Sequence, residues 1–278
     1  MEHPMWVAVI VNRLFGGVAL AVLSYLHIDP VNLRYPIPTH VCMEIFVFVI
    51  AAAFFLWLRG RISAEKPGAT QQVMEMLLHN PMGVGVSDLL EESIGHGSEK
   101  YLPMIGAVGI WVLFCNLVSV FPTLESPTAQ VSVPLGCAAV VFLYYNWTGI
   151  VKNGPIGHGK HFLGPDMPLP VFPKWLIKVG LLLPIETISH SARLLSLTVR
   201  LWVNMLVSEL LYAIFLGLLL EFSLFLGKIN VAGNVAFALP LLIPVLFILL
   251  HIFVAILQAF VFTILPIIYV AGSVVEEH

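Results

Sequence analysis

The chain contains few charged side chains. Only 10% of its 278 residues are Asp, Glu, Lys or Arg, whereas 59% are hydrophobic. A soluble globular domain carries about 25% charged residues, so this composition excludes an ordinary soluble fold. Apolar runs of about 20 residues recur along the chain, which is the length that a helix needs to cross the hydrocarbon core of a membrane. The composition therefore predicts a polytopic membrane protein made entirely of α-helices.

Cysteine is also scarce, and the sequence signatures of several enzyme classes are missing. The chain has no His-Glu-x-x-His motif, no Gly-x-Ser-x-Gly motif within an apolar run and no Gly-rich phosphate loop. We therefore expect no metal, no cofactor, no nucleic-acid partner and no catalytic activity in the chain by itself. The cysteines lie in or beside apolar runs without paired spacing, which predicts buried thiols. They are Cys42, Cys115 and Cys137.

Five apolar segments predict transmembrane helices. A stretch at about residues 70–99 mixes Met and Leu with charged side chains, which is typical of an amphipathic segment on the membrane surface. Residues 1–35 form a separate apolar segment that either crosses the membrane or lies in its interface, and residues 36–278 are predicted to form a single membrane domain. The five predicted spans cover about residues 42–58, 101–121, 129–148, 175–226 and 235–275.

The last two segments are longer than a membrane span requires. At 1.5 Å per residue, 40 residues make a helix of about 60 Å, which is twice the thickness of the hydrocarbon core. Pro184 is expected to break or kink the first of these helices, and Gly233, Pro240 and Pro266 to trim or bend the second. Because the loop between them is short, we expect a strongly tilted antiparallel hairpin.

Basic residues are distributed unevenly between the two sides of the predicted membrane. The side with more Lys and Arg is expected to be cytoplasmic, and the C-terminus lies on that side. The basic residues on this side are Arg59, Arg61, Lys66, Lys100, Lys152, Lys160, Lys174 and Lys178, against Arg34 and Lys228 on the other.

Arg200 lies in the middle of the first long helix, in a polar stripe on one face of it. An arginine stays protonated, and at the bilayer centre it costs about 3 kcal/mol, so it needs a carboxylate or a water-lined cavity. Glu209 lies nine residues further on, at the opposite side of the helix, and Glu186 is about four turns away. We therefore expect the counter-ion of Arg200 on another polypeptide. The stripe consists of Glu186, Ser189, His190, Arg193, Ser196, Arg200 and Asn204.

Other polar residues of these helices have two interpretations. Ser189, Ser196 and Asn204 suit hydrogen bonds between helices as well as a functional role. Arg193 suits a position near the boundary, from which its side chain reaches water. In the last helix, His251 and Gln258 are seven residues apart and therefore share one face.

Two stretches, LLSLTVRLWVNMLVSELL and LLHIFVAILQAFVFTILPIIYVAG, resemble the most characteristic parts of subunit a of rotary ATP synthases. The similarity extends to LPIETISHSARLLSL, CNLVSVFP and SPTAQVSVPLG, and it covers about residues 38–278. Its most specific feature is the spacing Arg-(x)3-Asn-(x)4-Glu, combined with His-(x)6-Gln in the last helix.

The resemblance implies a proton-translocating stator subunit without nucleotide chemistry of its own. The implied main partner is a rotating ring of proteolipid c subunits, each with a membrane-embedded carboxylate that supplies the counter-ion of Arg200. Peripheral stalk b subunits, other ATP synthase subunits and the lipid bilayer are the further implied partners. The implied location is the bacterial inner membrane.

The resemblance also implies a role for each polar residue that matches a family motif. Arg200 corresponds to the arginine that separates two half-channels, Asn204 to a neighbour that faces the ring, and Gln258 to a glutamine packed near the arginine. The implied inlet residues are Glu209, His251 and Asn116, and the implied outlet residues towards the cytoplasm are Glu186 and Ser196.

The chain departs from the family near the implied inlet. Some members carry aspartates at two positions where this chain has Ser119 and Gln130. Proton entry is therefore expected to rely on Glu125, His251 and water.

A secondary proton-coupled transporter or an ion channel is the alternative function. A transporter would use Arg200 to anchor its substrate and would predict matching broken helices in two sequence halves. The sequence contains no such internal repeat, which favours the stator subunit.

Overall fold

Every regular element in the described part of the chain is helical. The structure is a computed structural model that describes residues 5–29, 32–63, 67–80, 85–95, 97–121, 124–161, 178–229 and 234–274. Short 3₁₀ turns occupy Ser98–Tyr101 and Pro127–Ala129, and Lys178–Leu182 forms a π turn. The α-helices are α1 (Trp6–Tyr25), α2 (Thr39–Arg59), α3 (Ala69–Leu78), α4 (Val86–Ile94), α5 (Leu102–Val118), α6 (Ser132–His161), α7 (Leu183–Ile229) and α8 (Asn234–Val274).

Six helical segments are long and apolar enough to cross a membrane. The predicted all-helical membrane fold is therefore confirmed. The sequence analysis predicted about five spans and left the N-terminal segment open, and the additional segment is this N-terminal helix, α1. The six segments are Trp6–Tyr25, Thr39–Arg59, Ser98–Val118, Ser132–Gly154, Gly180–Leu218 and Val245–Val274.

The stretch predicted as amphipathic consists of two short helices, α3 and α4. Asp88 links the two helices. It lies in the first turn of α4, where the helix dipole favours a carboxylate. Asp88 Oδ1 lies 3.0 Å from Nδ1 of His79, and its Oδ2 accepts the backbone N–H of Asn80 at 2.8 Å. The contact with His79, together with the Asn80 hydrogen bond, lowers the pKa of Asp88. The end of α3 is thus linked to the first turn of α4.

Proline and glycine have different effects in the long helices. Pro184 is the second residue of α7, which comes directly after the π turn Lys178–Leu182, so the helical segment changes its winding next to this proline. Helix α8 continues past Pro240 and Pro266, and Gly233 lies outside the described residues. The sharpest irregularity is in α6, where Gly154 has a positive φ of 71° and kinks the helix.

The chain divides into two compact units. The first consists of Met1–Ile62, Trp111–Gln130 and Trp202–Gln258, and the second of Ser63–Ile110, Val131–Leu201 and Ala259–His278. Each unit therefore combines a part of α7 with a part of α8. In the first unit the two parts run antiparallel, because Ser208 contacts His251 and Phe215 stacks on Phe247. In the second unit Arg193 of α7 lies over the ring of Tyr269 of α8.

In the first unit α1 packs along α2. Asn12, which is 8% exposed, links the two helices. Its amide Nδ2 donates to the carbonyl of Ile37 at 3.1 Å, and its Oδ1 accepts the N–H of Ile37 at 2.9 Å. Buried polar groups need such partners in an apolar setting, so Asn12 determines where α1 lies along α2. The surrounding core contains Val7, Ala8, Val11, Cys42, Met43, Val47, Cys115 and Val118.

The predicted burial of the thiols is confirmed for Cys42 and Cys115, both of which are 0% exposed. Cys137 is half-buried. The second unit has its own core, formed mainly by α4, α5, α6 and α8. It contains Leu90, Tyr101, Ile105, Tyr145, Ile267, Val270 and Val274.

Helices α5 and α8 approach closely in the second unit at Gly109. A Cβ atom there would overlap Oγ1 of Thr263, whose hydroxyl donates to the carbonyl of Ala259 at 2.9 Å. We expect Gly109→Ala to destabilise the protein by about 1–3 kcal/mol, the usual cost of overpacking. Thermal unfolding in detergent would measure this.

Gly106→Ala is the matched control, because a Cβ at Gly106 meets nothing within 4 Å. This change should leave the unfolding temperature unchanged or raise it slightly, since alanine is the better helix former. Equal unfolding temperatures for the two variants would contradict the close packing at Gly109.

Candidate functional site

The first unit contains a polar cavity of about 220 Å³. It lies between the segment that follows α5 and the parts of α7 and α8 in this unit. Since one water molecule takes about 30 Å³ of liquid volume, the cavity has room for several of them. The polar side chains in its wall are Ser119, Glu125, Glu209, Tyr212 and His251.

His251 is held at both ring nitrogens. Its Nε2 lies 2.8 Å from Oγ of Ser119, and its Nδ1 contacts Oγ of Ser208. A neutral imidazole donates from one nitrogen and accepts at the other, so one of these hydroxyls donates and the other accepts. The hydroxyl of Ser119 also lies 2.9 Å from the carbonyl of Asn116, to which it can donate. The imidazole is therefore oriented in the cavity wall by the hydroxyls of two serines.

Glu209 is attached to the loop between α5 and α6. Its Oε1 accepts the backbone N–H of Ser126 at 2.7 Å, and the hydroxyl of Ser126 donates to the carbonyl of Cys115 at 3.0 Å. The Thr128 hydroxyl donates to Oδ1 of Asn116 at 2.7 Å, and its oxygen lies 2.5 Å from that of Ser126. Contacts of Ser126 and Thr128 thus link Glu209 to Asn116, in part through the backbone of Ser126.

Two buried amides retain one atom each without a hydrogen bond in the described part of the chain. These atoms are Nδ2 of Asn116 and Oε1 of Gln258, in side chains that are 0% and 3% exposed. An unpaired buried polar atom costs about 1–3 kcal/mol, so both favour a further polar group or water. Gln258 lies two turns from His251 along α8 and does not line the cavity.

The second unit contains a second polar cluster, centred on His190. Its Nε2 lies 3.4 Å from Oε1 of Glu186, and its Nδ1 lies 2.8 Å from the hydroxyl of Tyr145. One turn further along α7, the guanidinium of Arg193 lies 5.5 Å from the ring centroid of Tyr269. An acid and a phenol thus face the two ring nitrogens of one imidazole.

Arg200 is exposed and forms no ion pair with any carboxylate of the described residues. Ser196, one turn before it, is exposed, and Asn204, one turn after it, is half-buried. The polar face of α7 at these positions therefore remains open. An open face of this kind agrees with a counter-ion supplied from outside the chain. Glu186, in contrast, has a partner within the chain, His190.

The predicted site residues fall into three groups. The structure brings Asn116, Glu209 and His251 together in the first unit, and it pairs Glu186 with His190 in the second. Ser196, Arg200 and Asn204 contact neither group through a hydrogen bond of the described residues. Sequence reasoning missed the roles of Ser126, Thr128, Ser208 and Tyr145. The only signal for the first two was their place in the SPTAQVSVPLG stretch.

Comparison with known proteins gives a family that covers most of the chain. The family described as ATP synthase A chain matches residues 41–271. The chain is 37% identical over 278 residues to "ATP synthase subunit a" of Koribacter versatilis (strain Ellin345), with 100% of both chains aligned. It is 38% identical to "ATP synthase subunit a" of Solibacter usitatus (strain Ellin6076), over 87% of this chain and 90% of the relative.

A third relative, "ATP synthase subunit a" of Sulfurihydrogenibium sp. (strain YO3AOP1), is 33% identical over 86% of this chain and 99% of its own length. These matches agree with the six apolar helical segments and with the motifs that carry Arg200 and His251. The chain therefore belongs to the ATP synthase A chain family, whose members are integral multi-pass subunits of the proton-transporting membrane sector of ATP synthase.

Proposed function

We propose that the chain is the stator subunit that carries protons to and from a rotating ring of c subunits through two offset half-channels. The observation that carries the proposal is the exposed guanidinium of Arg200, which has no carboxylate partner in the described part of the chain. A cation within a membrane helix needs a counter-charge. Carboxylates of successive ring subunits would supply it in turn.

Arg200 separates the two half-channels in this proposal. A cation beside a carboxylate favours its ionised form, so a ring subunit that arrives at Arg200 releases its proton. The same positive charge opposes the passage of a free proton between the half-channels. Proton flow is then coupled to rotation, and each charge that crosses contributes about 2.3 kcal/mol per 100 mV of membrane potential.

The cavity of the first unit is the proposed inlet. Glu209 and His251 line it together with Glu125, and Asn116 lies behind them with an amide group available to water. Ser119, which stands where some relatives carry an acidic residue, orients His251 instead of exchanging protons itself. Proton entry is therefore proposed to rely on Glu125, His251 and water in place of the missing aspartates.

The outlet towards the cytoplasm is proposed to run along Glu186 and Ser196. Ser196 and Arg200 occupy one face of α7 at a spacing of four residues, and both are exposed. Asn204 continues this face towards the ring. Gln258, whose Oε1 has no hydrogen bond in the described part of the chain, is proposed as a further residue of proton translocation.

The lengths of α7 and α8 suit a subunit that follows a curved ring. Their 47 and 41 residues correspond to about 70 Å and 60 Å, so an upright orientation in a 30 Å core is excluded for full-length helices. We propose that the two form a tilted antiparallel hairpin, with the C-terminus in the cytoplasm as the basic residues indicate.

The remaining assignments follow from this role. Residues 36–278 form the membrane domain, and residues 1–35 form an accessory segment whose helix α1 packs on α2. Peripheral stalk b subunits, other ATP synthase subunits and lipid cover the surfaces that do not face the c ring. Nucleotide chemistry belongs to other subunits, and the membrane is the bacterial inner membrane.

Removal of the guanidinium tests the central role. We expect Arg200→Ala to abolish ATP-driven proton pumping by the complex in vesicles, because the ring carboxylate loses its counter-charge. Arg193→Ala removes a cation from the same helix and should retain most of the pumping, since Arg193 contacts the Tyr269 ring. Co-purification of the other subunits would establish that both variants assemble. Normal pumping by Arg200→Ala would refute the proposal.

A second prediction concerns the inlet. We expect Glu209→Gln to reduce proton flux by roughly a hundredfold, the low end of what a positioned proton-transfer group contributes. Glu221→Gln is the matched control, because Glu221 is an exposed carboxylate on the same helix and does not line the cavity. Passive proton flow through the membrane sector in vesicles measures both. Equal effects would remove Glu209 from the inlet.

A third prediction concerns the face towards the ring. A cysteine introduced by Asn204→Cys should form a disulfide with a cysteine placed near the carboxylate of a ring subunit. Leu206→Cys lies at nearly the same depth, about 200° around the helix, and should not form it. Gel mobility under oxidising conditions provides the readout. Failure of position 204 across a panel of ring positions would contradict the shared face.

A further inference from the structure

The cluster around His190 in the second unit goes beyond the roles assigned so far. We propose that His190 is a proton-transfer residue of the outlet, which takes protons from Glu186, and that Tyr145 positions its ring. This inference rests on the proposed function, since it assigns a further step to the outlet.

The geometry gives the two ring nitrogens different surroundings. Nε2 faces Oε1 of Glu186 at 3.4 Å, and the Glu186 side chain is 33% exposed. Nδ1 faces the hydroxyl of Tyr145 at 2.8 Å, and Tyr145 is 1% exposed within the apolar core of its unit. The rings of Tyr145 and His190 also stack, with centroids 5.8 Å apart and planes inclined by 27°. Glu186 is therefore the more exposed of these two neighbours of the ring.

Tyr145 limits proton exchange to Nε2. With Nδ1–H donating to the Tyr145 oxygen, the lone pair of Nε2 faces Glu186. Protonated Glu186 can then transfer its proton to Nε2, which leaves a carboxylate and an imidazolium. The imidazolium releases this proton from Nε2 to water on the cytoplasmic side and returns to its starting tautomer. One proton leaves Glu186 and one proton enters the water, so the step balances.

The neighbouring charges make the imidazolium short-lived. On α7, Glu186 stabilises the protonated ring, whereas the Arg193 guanidinium adds a second positive charge one turn away. From α6 the ring faces Tyr145, and from α8 Tyr269 lies between Tyr145 and Arg193, 5.8 Å and 5.5 Å from them. Tyr101, at the start of α5, belongs to the same core. The carboxylate of Glu186 is thus the anion that offsets the charge of a protonated His190.

This arrangement connects outlet conduction with the pH of the cytoplasmic side. Histidine is the side chain that ordinarily changes its charge between about pH 5 and 8. If His190 passes the proton on, conduction will depend on pH in this range. A residue that only fills space beside Tyr145 would give no such dependence.

The test is passive proton flow through the assembled complex in vesicles, with the pH of the cytoplasmic side varied between about 5 and 8. We expect His190→Gln to reduce the proton flow about tenfold, which is a part of what one proton-transfer group contributes. We also expect this variant to flatten the pH dependence of the flow. Glutamine retains a donor and an acceptor but does not titrate. Wild-type flow with a wild-type pH profile in this variant would overturn the proposal.

Tyr145→Phe is the second variant to be measured. It tests the proposal if the complex with His190→Gln does not assemble. It keeps His190 but frees Nδ1, so the midpoint of the pH profile should shift. An unchanged midpoint would overturn the positioning role of Tyr145 and, without a usable His190 variant, the proposal itself. Tyr144→Phe is the matched control, because Tyr144 is the half-buried neighbour and should leave both flow and profile unchanged.

The stator function and the proton transfer through His190 can be refuted separately. If Arg200→Ala stops coupled pumping while His190→Gln behaves like the wild type, the relay is wrong and the stator function stands. If Arg200→Ala pumps normally in the same vesicles, the stator function itself is wrong.

Discussion

A permanent positive charge within an apolar helix is the constraint on which the rest of this structure depends. The guanidinium of Arg200 cannot lose its proton, and the described residues supply no carboxylate to it. Burying it alone would cost several kcal/mol, so the face of α7 around it has to remain open to a charged partner or to water. The exposed Ser196 and half-buried Asn204 on this face are consistent with that requirement.

The other titratable groups of the two long helices follow a different rule, because they are paired within the chain. Glu209 is held by a backbone N–H, His251 by two serine hydroxyls, and His190 by a carboxylate and a phenol. Buried polar groups are retained in an apolar environment only with such partners. The proposed proton-transfer groups are thus held by partners within the chain, whereas the guanidinium of Arg200 has no carboxylate partner in the described part of the chain.

The sequence predicted much of the fold and part of the site. The spans at residues 42–58 and 235–275 differ from α2 and α8 by only a few residues, because apolar length is a local property. Pro184, predicted to break or kink the helix, is the second residue of α7, which begins directly after the π turn Lys178–Leu182. The predicted amphipathic stretch contains two helices, which the contact of His79 with Asp88 links. Periodicity alone does not reveal that contact.

By itself the sequence determined the membrane class, the helical elements, the family and the unpaired arginine, since each depends on composition or on spacing within one segment. Only the tertiary structure decided which groups meet. Ser119 contacts His251 across 132 positions of the chain, Ser126 contacts Glu209 across 83, and Tyr145 contacts His190 across 45. Serine and tyrosine are common in membrane helices, so nothing in their local sequence distinguishes a proton-handling contact from an ordinary hydrogen bond between helices. Packing selects these pairs because it brings together side chains that no local pattern relates.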